Sequence, residues 1–177
     1  MTPKGRGSMS DLMTRAEPVS PDRVAVNGVT ISLAPPMARY SLRARQPQML
    51  ETLLQRTLPA TIGATAGDIA CLGPDEWLLR APAGTSVPSG DGLPVAIVDI
   101  SERAICLVIE GPRAAELVMA GCPLDLSLFA VGRATRTIFE TVEIIIVRRA
   151  DERFEVEVWR SFAPWLLTAL QTAASQL

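Results

Sequence analysis

The chain repeats one order of hydrophobic and polar positions. Two segments, RYSLRARQPQMLETLLQRTLP from Arg39 and RAICLVIEGPRAAELVMAGCP from Arg103, each predict a strand, a proline and an amphipathic helix followed by another proline. Pro47 and Pro112 stand where the first helical turn is expected, a position where a missing N–H leaves no helical hydrogen bond unmade. The two segments therefore indicate two copies of one structural unit.

Each predicted helix carries one apolar stripe at helical spacing. We expect these stripes in the core: Leu50, Leu53, Leu54 and Leu58 in the first helix, and Ala114, Leu117 and Val118 in the second. A third helix is predicted near the C-terminus, with Ser161 as its N-cap and Pro164 in its first turn. Its expected buried side consists of Phe162, Trp165, Leu166 and Ala169.

Strands are predicted after each of the first two helices. DIACLGPDEWLLRA is divided by the turn-forming residues Gly73, Pro74, Asp75 and Glu76, which predicts a tight hairpin flanked by Cys71 and Trp77. We expect Trp77 in the core, with a partner anchor as the alternative. In the second half, ATRTIFE, EIIIVRR and RFEVEVW predict three further strands.

The last of these strands alternates strictly between apolar and acidic residues. It places Phe154, Val156 and Val158 on a buried face, and Glu155 and Glu157 on a face toward solvent or a partner. RAICLVIE and EIIIV are apolar without alternation, so both of their faces must be covered. We expect the two halves to pack their sheets together and to leave an apolar patch at a partner surface.

Polar, proline-rich and glycine-rich stretches divide the chain. Residues 1–20 are expected to form a mobile arm, and residues 21–177 a single domain with halves at about 21–80 and 95–177 and a helix-free linker at 81–94. AVNGVTISL carries the Asn27-Gly28 turn signal and predicts a small hairpin or an edge strand. The expected fold class is α+β, with two duplicated strand–helix–strand halves packed together.

Composition narrows the function classes. The 177 residues include 17 Lys and Arg, scattered along the chain, and 19 Asp and Glu, so a nucleic-acid-binding stripe is not expected. No apolar run approaches the roughly 18 residues of a membrane span, and we expect a cytoplasmic protein.

The three cysteines lack CxxC spacing and fit reduced thiols. The chain has no histidine, which removes Ser-His-Asp and Cys-His activation and histidyl flavin attachment.

The tract MAGCPLDL is predicted to end the second helix. Gly121 is expected to adopt the left-handed conformation of a helix end, and Pro123 prevents continuation. Cys122 has no histidine to activate it, and the neighbouring Asp125 anion disfavours a thiolate. We therefore expect Cys122 to be a structural, partly buried thiol rather than a nucleophile.

Several tracts together resemble the gamma subunit of heterotetrameric sarcosine oxidase. They are LGPDEWLL (72–79), VDIS (98–101), GPRAAELVMAGCPLDL (111–126), the strand at Gly132 and FEVEVWRSFAPWLLTAL (154–170). The family-motif or structural positions are Gly73, Pro74, Asp75, Glu76, Trp77, Gly111, Pro112, Gly121, Cys122, Pro123, Asp125, Gly132, Arg160, Ser161 and Phe162. That family is similar in fold to the folate-binding aminomethyltransferase, which agrees with the internal repeat.

The resemblance implies a non-catalytic subunit that supports a sarcosine-demethylating complex. It places FAD, FMN, NAD and tetrahydrofolate in the alpha and beta subunits and zinc in the delta subunit, and implies no catalytic, cofactor or metal site in this chain. The sequence independently lacks a GxGxxG tract and a phosphate-loop motif. The expected partners are the alpha, beta and delta subunits, with self-association an option for the isolated chain.

The chain departs from the folate enzymes at one turn. Those enzymes carry a Gly-Gly and paired-Asp turn where this chain reads FETVEIIIV, with Glu140 and Glu143. The alternative function is a stand-alone folate-binding one-carbon protein that would direct Glu140, Glu143 or Asp99 toward a pterin. A binding module unrelated to amine oxidation is a third option, because fold does not fix function.

Overall fold

Two antiparallel β-sheets face each other in the computed structural model, which describes residues 17–20 and 22–177. Residues 1–16 and 21 lie outside the described residues, and with them most of the expected arm. In chain order the elements are β1 (Val24–Val26), β2 (Val29–Leu33), β3 (Met37–Ala44), α1 (Pro47–Leu54), β4 (Thr65–Ala66), β5 (Ile69–Gly73), β6 (Glu76–Pro82), β7 (Val95–Asp99), β8 (Ala104–Glu110), α2 (Ala114–Met119), β9 (Ala134–Phe139), β10 (Val142–Ala150), β11 (Arg153–Trp159) and α3 (Ala163–Ser175).

Each sheet takes strands from both halves of the sequence. The smaller sheet has the order β4-β5-β6-β3-β7, and the larger has the order β1-β2-β8-β11-β10-β9. The β1–β2 hairpin, predicted from Asn27-Gly28, therefore pairs with β8 of the second half, and β7 returns to pair with β3 of the first. The fold class is α+β as predicted, but the sheets do not coincide with the predicted halves.

Each sheet buries its outer face under helices. The smaller sheet and α1 enclose a core that includes Leu42, Leu50 and Trp77, and Leu50 is fully buried. The larger sheet packs against α2 and α3 in a second core, to which β11 contributes its apolar side chains as predicted. The residues of this second core that come from the alternating strand and the two helices are Phe154, Val156, Val158, Ala114, Leu117, Val118, Ala163, Leu166, Leu170 and Ala174.

The helix starts differ in detail from the sequence prediction. Pro47 is the first residue of α1, as expected, whereas α2 begins after Arg113, so Pro112 precedes its first turn. The N-cap of α3 is Phe162 without a side-chain cap hydrogen bond, so the prediction of Ser161 as the cap is wrong.

The buried face of α3 also differs from the prediction. It consists of Ala163, Leu166, Leu170 and Ala174, which recur at helical spacing. Phe162 and Trp165 are 45% and 40% exposed, so their assignment to the core is wrong. The small residues at 163 and 174 allow the helix to pack closely, and this rotates the large aromatic side chains toward solvent.

Gly121 follows α2, which ends at Met119 with Ala120 as its C-cap, and it has another role than the predicted one. It is absent from the residues with positive φ, so the predicted left-handed conformation is wrong. A Cβ at this position would lie 2.7 Å from the Phe139 ring. The glycine therefore makes room for an aromatic side chain of β9.

Candidate functional site

The two sheets meet across a group of charged side chains. Arg39 of β3 and Arg80 of β6 are direct cross-strand neighbours in the smaller sheet. Glu157 of β11 in the larger sheet accepts a hydrogen bond from Arg39 Nε at 2.6 Å and another from Arg80 Nη1 at 3.1 Å. Glu155 accepts from Arg80 Nη2 at 2.6 Å and from Arg149 Nε at 2.8 Å. We call these five residues the inter-sheet ion cluster.

The centre of this cluster is shielded from water. Arg39, Arg80 and Glu157 are only 2–3% exposed. Burial alone would lower the pKa of Arg80, but the surrounding negative charges, led by the Glu157 carboxylate, together outweigh burial and raise that pKa. Among the described residues no buried side-chain nitrogen or oxygen lacks a hydrogen-bond partner. The cluster is therefore a satisfied polar network.

The prediction that the Glu155 and Glu157 face points to solvent or a partner is wrong, because this face meets the smaller sheet. A sequence signal was present. Arg80 interrupts the apolar run WLLRA, and a lone charge in such a strand needs a counter-charge when it is buried. The alternating glutamates of FEVEVW supply that counter-charge. Arg39, another partner of Glu157, lies 118 residues before it, so the local sequence does not reveal the pairing.

Backbone contacts join the sheets beside the cluster. Thr65 donates from its backbone N–H and from its hydroxyl to the Gly132 carbonyl, at 3.1 and 2.8 Å. The Ala134 N–H donates to the Gly63 carbonyl at 2.8 Å. Gly132 has φ +80°, a conformation that other residues rarely adopt. This family-motif position thus serves the sheet-to-sheet junction.

A narrow cleft opens where the two sheets part, with a volume of about 100 Å³. Its lining includes Arg39, Ser41, Leu78, Ile145, Glu157 and Trp159. Pockets that hold small molecules typically measure about 300–1,000 Å³. Arg39 and Glu157 in its lining are engaged with each other, and the cleft is small for a pterin or a flavin ring.

The three carboxylates considered for a folate site do not converge on this cleft. Among them only Glu143 lines it, and that carboxylate is 3.7 Å from Arg136. Asp99 accepts hydrogen bonds from the Ser101 hydroxyl and N–H, which lower its pKa. Glu140 occupies the β9–β10 turn with φ +50°. These positions leave no carboxylate group arranged toward a common ligand.

The predicted hairpin at residues 73–77 joins β5 and β6 and is confirmed. Trp77 is 2% exposed and donates from Nε1 to the Pro59 carbonyl at 2.9 Å, which makes it a core residue. Glu76 pairs with Arg136 of the larger sheet at 2.7 Å, and the hydrogen bond from Arg136 lowers the Glu76 pKa. Pro74 and Asp75 form the turn between β5 and β6. The Asp75 carbonyl accepts a hydrogen bond from the Ala44 N–H.

The tract 121–126 packs under β9 and β10. Cys122 is 5% exposed, and its sulfur lies 3.8 Å from the Thr137 hydroxyl. Pro123 is exposed, and Asp125 accepts from the Ser127 hydroxyl and N–H, which lower its pKa. These contacts are structural, whereas the role of the tract as a family motif stays a prediction.

The thiols are expected to resist modification in the folded chain. Burial raises the pKa of Cys71, and raises that of Cys106 well above its ordinary value with a further contribution from Glu157. Cys122 is buried as well. A disulfide-exchange reagent should therefore label no cysteine rapidly under native conditions and all three after unfolding. Rapid labelling of Cys122 in the folded chain would contradict its assignment as a structural thiol.

The remaining family-motif positions lie at two element boundaries. Gly111 and Pro112 connect β8 to α2, and the Gly111 N–H donates to the Glu152 carbonyl. Arg160, Ser161 and Phe162 connect β11 to α3, and Arg160 lies 3.5 Å from Glu17. Val19 is buried in the larger core, so the described end of the predicted arm is packed against the domain.

Neither a metal-binding group nor a membrane-spanning helix occurs in the described part of the chain. Its residues contain no group of three or more Cys, Asp or Glu side chains placed to hold a metal ion. None of the described helices combines the length and the apolar character that crossing a membrane requires.

The sequence matches a defined protein family. The sarcosine oxidase gamma subunit family model matches residues 40–176. The sarcosine oxidase subunit gamma of Corynebacterium sp. (strain U-96) is 33% identical over 129 residues, which cover 64% of this chain and 63% of that protein. The counterpart from Arthrobacter sp is 30% identical over 142 residues, with 71% and 70% covered. The match thus spans slightly less than two thirds of the Corynebacterium protein.

Two solved structures resemble the fold. A chain of the heterotetrameric sarcosine oxidase from Corynebacterium sp. U-96, in complex with pyrrole 2-carboxylate, superposes with a TM-score of 0.79 at 27% identity, covering 86% of this chain and 87% of that chain. The glycine cleavage system aminomethyltransferase T from Bartonella henselae superposes with a TM-score of 0.62 at 15% identity, covering 81% and 45%. The second likeness concerns the fold alone. With the family model matching most of its length, the chain belongs to the sarcosine oxidase gamma subunit family.

Proposed function

We propose that this chain is the non-catalytic gamma subunit of a heterotetrameric sarcosine oxidase. It supports assembly of the alpha and beta subunits, whose flavins oxidatively demethylate sarcosine in the cytoplasm. The observation that carries the proposal is the superposition on a chain of such an oxidase over 86% of this chain and 87% of the other. Because the superposition covers most of both chains, it favours the same position for this chain in the same kind of assembly.

The geometry between the sheets supports the non-catalytic part of this proposal. The charged side chains that face each other there are used to join the sheets, and the adjoining cleft of about 100 Å³ is small for a cofactor. The hard chemistry of amine oxidation belongs to cofactors. We assign FAD, FMN, NAD and tetrahydrofolate to the alpha and beta subunits and zinc to the delta subunit, and no cofactor to this chain.

The folate-binding alternative has less support. The likeness to the aminomethyltransferase is at 15% identity and concerns the fold. Of the carboxylates that such a protein would need, only Glu143 reaches the cleft, where Arg136 is its neighbour. A binding role for the chain on its own therefore ranks below the role of a subunit.

The isolated chain tests the proposal directly. Purified without its partners, it should be colourless and should not oxidise sarcosine, because no flavin is bound. The measurements are the visible absorption spectrum and oxygen consumption with sarcosine, with a reconstituted complex as the positive control. A stoichiometric flavin in the isolated chain would contradict the proposal, and folate binding at micromolar affinity would favour the alternative.

A further inference from the structure

Three aromatic side chains lie exposed at the junction of β11 and α3. Trp159, Phe162 and Trp165 are 40%, 45% and 40% exposed, and they are the only exposed large aromatic residues in the described part of the chain. The Trp159 and Phe162 ring centroids are 6.3 Å apart. Trp165 follows Phe162 by three residues, a spacing that places side chains side by side on a helix. We call these three residues the aromatic patch.

The fold itself explains why these side chains point outward. Trp159 lies on the same face of β11 as Glu155 and Glu157, but at the strand end, where the sheets part and the cleft opens. Phe162 is the N-cap that precedes α3, and Trp165 lies on the side of α3 away from its buried residues. No core contact requires aromatic residues at these two positions, since the core on this helix is formed by Ala163, Leu166, Leu170 and Ala174.

Arg103 adds a positive charge to the aromatic patch. Its guanidinium carbon lies 4.0 Å from the Trp159 ring centroid, a cation–π contact. The other arginines that line the cleft, Arg39 and Arg136, are paired with glutamates. Among the described residues, no carboxylate lies within 4.0 Å of the Arg103 guanidinium nitrogens. Arg103 is therefore held in place by Trp159 and is available for a carboxylate from outside the described fold.

We propose that the aromatic patch and Arg103 dock this chain onto a neighbouring subunit of the oxidase, which contributes apolar side chains against the rings and a carboxylate against Arg103. This inference rests on the proposed function. Tryptophan and arginine are among the residues most enriched at binding hot spots, and an arginine can hold a carboxylate through two charge-assisted hydrogen bonds. A second copy of this chain fits less well, because a symmetric contact through the patch would bring the two Arg103 charges together.

The test is a set of full-length variants measured against the purified flavin-containing subunits. Trp159→Ala combined with Trp165→Ala should weaken binding at least about 30-fold, the ratio that corresponds to one hot-spot residue. Arg103→Ala should weaken binding about tenfold and reduce its salt dependence. The matched controls are Leu128→Ala, which removes an apolar side chain that is 83% exposed, and Arg45→Ala, and both should bind within about threefold of the unchanged chain.

The outcomes separate this inference from the proposed function. If the unchanged chain does not bind the flavin-containing subunits, the proposed function fails. If it binds and the patch variants bind as the controls do, while circular dichroism shows all of them folded, the docking surface is wrong. If the double variant does not fold, Trp165→Ser replaces it in the binding measurement, because this change alters only an exposed helix position.

Two other occupants have their own signatures. Should the patch variants abolish self-association of the chain without changing its affinity for the subunits, a second copy is the occupant and the proposal is overturned. Deleting residues 1–16 should leave acrylamide quenching of tryptophan fluorescence unchanged in the isolated chain. A clear rise in quenching would mean that this segment covers the patch, which also overturns the proposal.

Discussion

Replacing Glu157 with glutamine should lower the free energy of unfolding by about 3–5 kcal/mol, the range for removing one partner of a buried ion pair. The change keeps the size of the side chain and removes its charge. Arg39 and Arg80 would then remain buried, at 2% and 3% exposure, without the carboxylate that both contact. Urea unfolding followed by circular dichroism measures the loss.

Glu143→Gln is the matched control. Glu143 is 51% exposed and lies 3.7 Å from Arg136 of the same sheet, so its removal should change the free energy of unfolding by no more than about 1 kcal/mol. Equal small losses for the two variants would show that the inter-sheet ion cluster is accessible to water. The proposed way in which the two sheets are joined would then be wrong.

Gly111→Ala should destabilise the chain by about 3 kcal/mol or more, because a strained backbone alone costs about 1–3 kcal/mol. Gly111 has φ +126°, and a Cβ there would clash with the Gly28 carbonyl oxygen. That oxygen belongs to the backbone of the β1–β2 turn and cannot rotate away. The substitution should therefore displace the hairpin from the edge of β8 as well as lower the melting temperature.

Gly84→Ala separates the two causes of this loss. Gly84 has φ +82°, but a Cβ added there would have no neighbouring atom within 4 Å, so only the backbone strain remains. Its expected cost is about 1 kcal/mol. If Gly111→Ala and Gly84→Ala lower the free energy of unfolding equally, the clash with the Gly28 carbonyl oxygen adds nothing to the loss.

The order of strands and helices was largely predictable because it depends on local periodicity. Turn residues predict the hairpin at residues 73–77, and apolar runs and alternation predict the three C-terminal strands. Helical spacing predicts the buried stripe of α2. Sheet membership was not predictable in this way. Alternation specifies which side chains share a face, but it does not specify that β7 pairs with β3 or that β2 pairs with β8.

The candidate site was less predictable than the fold for the same reason. The acidic face of β11 was recognised, but its partners Arg39 and Arg80 lie on strands far away in sequence. The sequence predicts Trp165 on the buried side of the third helix with Leu166, whereas Ala163 and Ala174 join the leucines on that side and Trp165 is exposed. Local sequence thus identified the polar and aromatic groups but not which of them face each other.

The most direct test of the proposed subunit role is native mass spectrometry of a complex assembled from this chain with the alpha, beta and delta subunits. The proposal predicts an assembly that contains one copy of each chain, from which this chain dissociates without flavin. It also predicts that leaving this chain out lowers the yield of the assembled oxidase. Assembly of a fully active oxidase of alpha, beta and delta subunits that never incorporates this chain would contradict the account.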